Sequence, residues 1–264
     1  MHFRDFWLVL ALAAGAVLPR GAAAADLALV LLTDVSSSMG DEEFKLVKEG
    51  YRNAFADPEV IDAIAKNGSG VAIAYVEFSD ESNVIMVKGW NLLTDGASSL
   101  AFGEAVAAAP RSSTGNTALS NGIGQAAKLL LGGNFGDARL VIDVASDHPG
   151  DGGQSSTIRD RVLQAGITIN ALPIMTDVRS ASFDGRTTFA YSQWGVGGIV
   201  GFYRENVIGG PGSFLVEAAD YPAFGEALKR KLLLELVAGS ELQDASVAPG
   251  APTIPTVLQS AAIE

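Results

Sequence analysis

No cysteine occurs among the 264 residues. Disulfide bonds, thiol nucleophiles, Cys-ligated zinc and lipid attachment through cysteine are therefore excluded. Histidine is almost as scarce: His2 and His148 are the only two. A zinc hydrolase needs several His or carboxylate ligands close together, and none cluster in this sequence. A Ser-His-Asp hydrolase would have to rest on His148 alone, with no G-x-S-x-G elbow ahead of it. Basic residues are few, 18 Lys and Arg against 30 Asp and Glu, for a formal charge of -12. No basic patch is visible, which argues against nucleic acid or an anionic membrane as partner. Beyond Leu18 no apolar run approaches the roughly 20 residues that a membrane span requires, so stable insertion is not expected.

What is present begins with an export signal. Arg4 precedes an apolar core from Phe6 to Leu18, Pro19 and Arg20 end it, and Ala22 to Ala25 supply small residues before Asp26. Cleavage is expected near Ala25, giving an exported protein, periplasmic or secreted. Residues 26–238 then form one α/β domain. From Gly239 onward Ser, Ala, Pro and Gly dominate, and residues 239–264 read as a disordered tail. Without disulfides, an exported chain must be held by its core.

Strand and helix patterns alternate along the domain. Leu27 to Asp34 is a buried strand, and Asp41 to Phe55 an amphipathic helix with acidic residues in its first turn. Asp57-Pro58 opens a second helix that runs to Ala65. Val71 to Phe78 reads as a central strand and Ser82 to Trp90 as a strand at the sheet edge. Helices follow over 97–108 and through Leu131, with Arg139 to Ala145 as the next buried strand. A helix over 155–164, capped by Gly166, leads to a strand from Ile167 to Leu172. Residues 176–198 read as a surface insertion or long loop, 200–207 as a short helix, Ser213 to Val216 as a last strand and Tyr221 to Val237 as the terminal helix. This order describes a mostly parallel sheet with one antiparallel edge strand and helices on both faces.

The most informative segment is LALVLLTDVSSSM, Leu27 to Met39. A buried strand delivers Asp34, Ser36 and Ser38 into the following turn, one carboxylate and two hydroxyls at every second position. These are hard oxygen donors, suited to Mg²⁺, Mn²⁺ or Ca²⁺. In an open α/β sheet, ligands bind beyond the carboxyl ends of the strands. Two further loops emerge at that edge: one carries Thr114 and Thr117, the other Asp147, and Gly115 and Gly150 to Gly153 allow close approach. Each feature alone has an ordinary structural reading as a turn or helix cap; their combination in this order points to a metal site.

That combination resembles the von Willebrand factor A-type (VWA) domain, a three-layer Rossmann-like fold whose metal-ion-dependent adhesion site joins a DxSxS loop to a later Thr and a later Asp. The resemblance implies Asp34, Ser36, Ser38, Thr117 and Asp147 as the metal set, with both aspartates acting partly through water. A second resemblance, spanning more of the chain, is to the bacterial DUF1194 proteins of unknown function. It rests on EGYRNAFADPEVIDAI (Glu49 to Ile64), VAIAYVEFS (Val71 to Ser79), GITINALPI (Gly166 to Ile174), ENVIGGPGSF (Glu205 to Phe214) and LKRKLLLEL. Many VWA domains place glycine after the last aspartate, where this chain has His148.

The implied function is a metal-dependent protein-binding module, not an enzyme, in which an Asp or Glu of an unidentified protein partner completes the metal shell. His148, Thr114, Asp151, Tyr191 and Trp194 are candidate rim or partner contacts. Trp90 and Phe202 are expected instead to close the sheet edge and fill the core. The competing expectation is an accessory or chaperone-like domain whose metal is structural or absent; a hydrolase has little support.

Overall fold

The computed structural model describes residues 25–150, 154–176, 178–183, 187–192 and 197–246. Five strands form the main sheet: β1 (Leu27–Asp34), β2 (Val71–Phe78), β3 (Val84–Leu93), β4 (Arg139–Ser146) and β5 (Ile167–Pro173). Their order is β3-β2-β1-β4-β5, parallel throughout except for β3, which pairs antiparallel with β2 at the edge. All eight residues of β1 are buried, as expected of a strand covered on both faces.

Alternation along β1 divides the interior into two cores. Leu27, Leu29 and Leu31 face one side, with α1 (Asp41–Ala56), α2 (Pro58–Lys66), α3 (Gly96–Ala108) and α7 (Phe224–Ser246). Ala28, Val30 and Leu32 face the other, with α4 (Leu119–Leu131), α5 (Gln154–Gln164) and α6 (Gly198–Asn206). The helix starts are set locally. Asp57 accepts from Glu59 N ahead of Pro58, Asp95 accepts from Ser98 N, and the Glu43 carboxylate accepts from Gly40 N at 2.6 Å. Trp90 packs edge-on against Phe135, and Phe202 packs half-buried on the second core.

Four expectations need correction. β3 begins at Val84, because the Asp80 carboxylate binds Ser82 N, Ser82 Oγ and Asn83 Nδ2 and holds those residues in a turn. The segment read as a surface insertion or long loop contains an antiparallel pair, β6 (Val178–Phe183) and β7 (Thr187–Ser192). The Asp184-Gly185 pair between two alternating stretches was its sequence signal. Ser213 to Val216 forms no strand. An isolated bridge, Ala171 to Leu215, joins it to β5, and the Asn170 side chain takes the Phe214 amide in place of a ladder partner. Finally, α7 starts at Phe224, with Asp220 accepting from Ala223 N, and continues to Ser246. It passes the point at Gly239 where the tail was expected to begin; Glu241, Leu242, Gln243 and Ala245 are good helix formers. The leader over residues 1–24 and the remaining tail over 247–264 lie outside the described residues.

Two buried charge networks pin helices to the sheet. Lys48 on α1 meets Glu77 on β2 at 2.8 Å, both nearly inaccessible, and Glu77 also accepts from Tyr75 Oη and Ser112 N. On α7, Lys231 contacts Asp143 of β4, while Glu235 accepts from Arg139 and Asn170. Removing one member of a buried pair leaves the other charge uncompensated. Glu77→Ala is therefore expected to cost about 3–5 kcal/mol in urea denaturation, and the double replacement Lys48→Met with Glu77→Leu should recover most of it. A loss under 1 kcal/mol for the single variant, roughly that of an exposed pair, would remove this account.

The loop between α3 and α4 is drawn against the loop after β1. Gly115 O accepts from both Ser37 N (2.8 Å) and Ser37 Oγ (2.9 Å). Gly115 has φ +146°, and a Cβ there would lie 2.8 Å from Asp80 Oδ2. Gly115→Ala thus meets both backbone strain and a clash, and is expected to lose about 1–3 kcal/mol of stability. A variant as stable as the parent in thermal denaturation would show that this loop adapts freely.

Candidate metal centre

The site forms where the chain reverses its direction of growth across the sheet. From β1 the chain builds outward to β2 and β3, then returns to add β4 on the other side of β1. Such a switch point opens a crevice beyond the strand ends. The β1–β4 register pairs Thr33 with Ala145, so Asp34 and Ser146 stand side by side at this edge.

Asp34 is fully buried. Its Oδ1 accepts from Ser36 N at 2.8 Å and its Oδ2 from Ser146 Oγ at 2.6 Å. Beyond it, hydroxyls connect three loops. Thr117 Oγ1 donates to Ser36 Oγ at 2.9 Å, Ser36 and Ser38 Oγ lie 3.0 Å apart, and Ser38 Oγ donates to Asp147 Oδ1 at 2.8 Å. A hydroxyl has one proton, and that of Ser38 is committed to Asp147, so Ser36 must be the donor to Ser38. The result is a directed chain, Thr117 to Ser36 to Ser38 to Asp147. Each oxygen keeps lone-pair capacity. All five residues expected as metal ligands are thus brought together.

Among the described residues no cation pairs with Asp34 or Asp147. Burial pushes the Asp34 carboxyl up to about 6; the hydrogen bonds from Ser146 and Ser36 oppose this, and the nearby Asp147 charge adds to it. Asp147 is 5% exposed. Arg111, on the loop that carries Thr117, is engaged elsewhere: its guanidinium donates to Val35 O and Ser36 O at 2.7 and 2.6 Å. It braces the DxSxS loop through its backbone and reaches neither carboxylate with a hydrogen bond. Two carboxylates and three hydroxyls around one point fit a hard divalent cation. Ser38 is exposed and Thr117 half-buried, so the open side of the cluster faces solvent. Among the described residues no three His, Cys, Asp or Glu side chains gather into a metal-binding group.

The candidate rim residues divide. His148 is half-buried; its Nδ1 accepts from Gly150 N, its own N–H donates to Ser146 Oγ, and its carbonyl accepts from Tyr203 Oη. Burial lowers its pKa, against the opposing effect of Asp147. The imidazole therefore helps to hold the β4–α5 loop. Thr114 is exposed, and its carbonyl accepts from Ser79 Oγ. Tyr191 lies on β7 opposite Arg179. Asp151 and Trp194 lie outside the described residues.

Several site residues escaped the sequence reading. Ser146 could have been found by aligning the ends of neighbouring parallel strands. Thr176, whose Oγ1 lies 3.5 Å from Asp147 Oδ2, sits just past the end of β5 at the same edge. Arg111 gave no local signal, because it acts on carbonyls 75 and 76 residues earlier in the chain.

No curated protein matches the sequence. Among solved structures, the pilus adhesin SpaC of Lactobacillus rhamnosus GG is similar, with a TM-score of 0.55 and 14% identity, over 81% of this chain and 30% of the adhesin. Proximal thread matrix protein 1 of the mussel byssus, in a form with a zinc-occupied MIDAS motif, gives 0.52 and 15% over 81% of this chain and 47% of its own. The SpRpn10 VWA domain gives 0.50 and 15%, covering 80% of this chain and 93% of that domain. This chain therefore spans less than half the length of the adhesin and of the byssus protein. At these identities the likeness shows the VWA-like fold. The sequence of residues 24–240 matches the family described as protein of unknown function DUF1194, and the chain belongs to that family.

Proposed function

We propose that this protein is an exported, non-enzymatic module that binds another protein through a divalent cation. Mg²⁺ is the first candidate, with Mn²⁺ and Ca²⁺ as alternatives, held by Asp34, Ser36, Ser38, Thr117 and Asp147. The observation that carries the reading is the hydroxyl chain linking two buried carboxylates with no cation among their partners in the described residues. Bound there, the ion would supply Lewis-acid attraction for one further hard ligand. Asp34 and Asp147 would provide the charge, while the hydroxyls fill the shell without over-neutralising it. The solvent-facing side, at Ser38 and Thr117, is where an Asp or Glu of the partner would complete coordination.

The surroundings favour recognition over turnover. His148 has its Nδ1 engaged by the Gly150 amide, so it is not poised as a base. The β6–β7 hairpin follows β5 directly, at the strand end nearest Asp147 and Thr176. We assign partner contact to it through Tyr191 and Trp194, with Thr114, His148 and Asp151 at the rim. The adhesin and the byssus protein, similar in fold, are consistent with an interaction module. Export rests on the leader expected over residues 1–25, and no helix among the described residues is long and apolar enough to cross a membrane.

Titration of Mg²⁺ and Mn²⁺ into the full chain, followed by thermal denaturation, tests the ion. At concentrations about 100-fold above Kd, binding is expected to add about 2.7 kcal/mol of stability, and Asp34→Asn should abolish the gain. Unchanged melting with both ions would defeat the proposal. A pull-down from the exported fraction in Mg²⁺ and again in EDTA tests the partner: capture should disappear with chelator and in Thr117→Val. Capture that survives both EDTA and Ser36→Ala would instead assign an accessory domain whose metal is structural or absent.

A further inference from the structure

Arg111 directs its guanidinium at two backbone oxygens inside the DxSxS turn. Val35 O accepts from Nε at 3.2 Å and from Nη2 at 2.7 Å, and Ser36 O accepts from Nη2 at 2.6 Å. Ser36 O also accepts from Met39 N at 3.1 Å. A carbonyl oxygen has two lone pairs, so both of these carbonyls are filled. Gly115 O, on the loop that brings Thr117, is filled likewise by Ser37 N and Ser37 Oγ. All three are hard oxygens beside the candidate metal centre, and each is already occupied by donors of the protein itself.

Arg111 is held in place from its other side. Its side chain is 13% exposed, its Nη1 lies 3.7 Å from Asp41 Oδ1, and its guanidinium carbon stands 5.6 Å from the centre of the Phe44 ring. Asp41 and Phe44 both stand at the start of α1. The next residue is fixed as well, since Ser112 N donates to Glu77 Oε2 at 2.8 Å. Lysine would not reproduce this clamp, because a single ammonium replaces a planar fork that serves two carbonyls at once.

The consequence for an ion follows from shell size. Ca²⁺ takes about six to eight oxygens, backbone carbonyls among them, whereas Mg²⁺ demands a smaller, near-octahedral shell and keeps several waters. Asp34, Ser36, Ser38, Thr117 and Asp147, with water, suffice for the smaller shell. We infer that Arg111 is a positioning residue that sets the ion preference of the centre, holding Val35 O and Ser36 O out of the shell and so favouring Mg²⁺ over Ca²⁺. The inference rests on the metal reading above and decides between ions that this reading leaves open. Arg111 acts through the backbone alone, and its hydrogen bonds reach no ligand side chain.

Calorimetry of Mg²⁺ and Ca²⁺ binding to the full chain and to Arg111→Met provides the test, read as the ratio of the two dissociation constants. The parent is expected to bind Mg²⁺ more tightly. The variant should move the ratio toward Ca²⁺ by about 10-fold, the lower end of what outer partners of a metal site contribute. Loss of a positive charge helps both ions, and a loosened loop weakens both, so neither effect alone moves the ratio. Arg111→Lys, which keeps the charge and loses the fork, should shift the ratio in the same direction by less. It carries the test if ion-free Arg111→Met shows no cooperative melting. A ratio unchanged from the parent in the folded variants, or a parent that prefers Ca²⁺, would overturn the inference and leave the metal centre standing. A parent that takes up neither ion would remove the metal reading and the inference with it.

Discussion

The burial of Asp34 is the constraint on which the rest of the site depends. A carboxylate removed from water at the end of a central strand is unfavourable unless donors surround it. Here the donors are Ser36 N and Ser146 Oγ, one from the turn after β1 and one from the end of the adjacent strand. The first fixes how the chain turns after the strand. The second fixes the β1–β4 register. Once both are set, Ser36 and Ser38 project toward the loop that carries Asp147. A slip of one residue in β4 would turn its side chains to the opposite faces of the sheet and separate the two aspartates.

The charges elsewhere in the core clarify why this carboxylate pair stands out. Glu77 has Lys48, and Glu235 has Arg139. Asp143, also pushed up to about 6 by burial, has Lys231 in contact to oppose the shift. Among the described residues Asp34 and Asp147 have only neutral donors. The networks also act on one another. Glu77 binds Ser112 N at the start of the loop that delivers Thr117, while Arg111 beside it clamps Val35 O and Ser36 O. Lys48, through Glu77, and Arg111 directly thus shape the loops through backbone groups.

Much of this was legible in the sequence because the signals were local. An apolar strand followed by Asp34, Ser36 and Ser38 declares its own geometry, and the alternation of β and α patterns gave the sheet with its antiparallel edge. Boundaries failed where a side chain intervened: Asp80 delayed β3, Asn170 displaced a ladder bond at Phe214, and Asp220 set the start of α7. The β6–β7 hairpin was missed because Thr176 to Gly198, rich in Ser and Gly, resembles a loop more than a strand pair. Arg111 was illegible for a different reason. Its importance comes from a loop distant in sequence, and no spacing rule records it.

The exposure of the cluster is asymmetric, and that asymmetry bears on recognition. Asp34 and Asp147 lie on the inner side, Ser38 and Thr117 toward solvent. Outside stand Asp41, Glu42 and Glu43 in the first turn of α1, within a chain of formal charge -12. An acidic partner approaching this surface meets repulsion at distances comparable with the Debye length, about 8 Å in physiological salt. Only at contact would a carboxylate gain the attraction of a bound cation, and that attraction is strong because the inner carboxylates are already shielded from water. Such an arrangement disfavours non-specific capture of acidic proteins. With the proposed ion in place, it would reserve binding for a partner whose carboxylate projects far enough to reach the ion and whose surrounding surface is neutral or basic. Discrimination would then come from the shape and charge around the coordinating group, while the ion would supply the attachment.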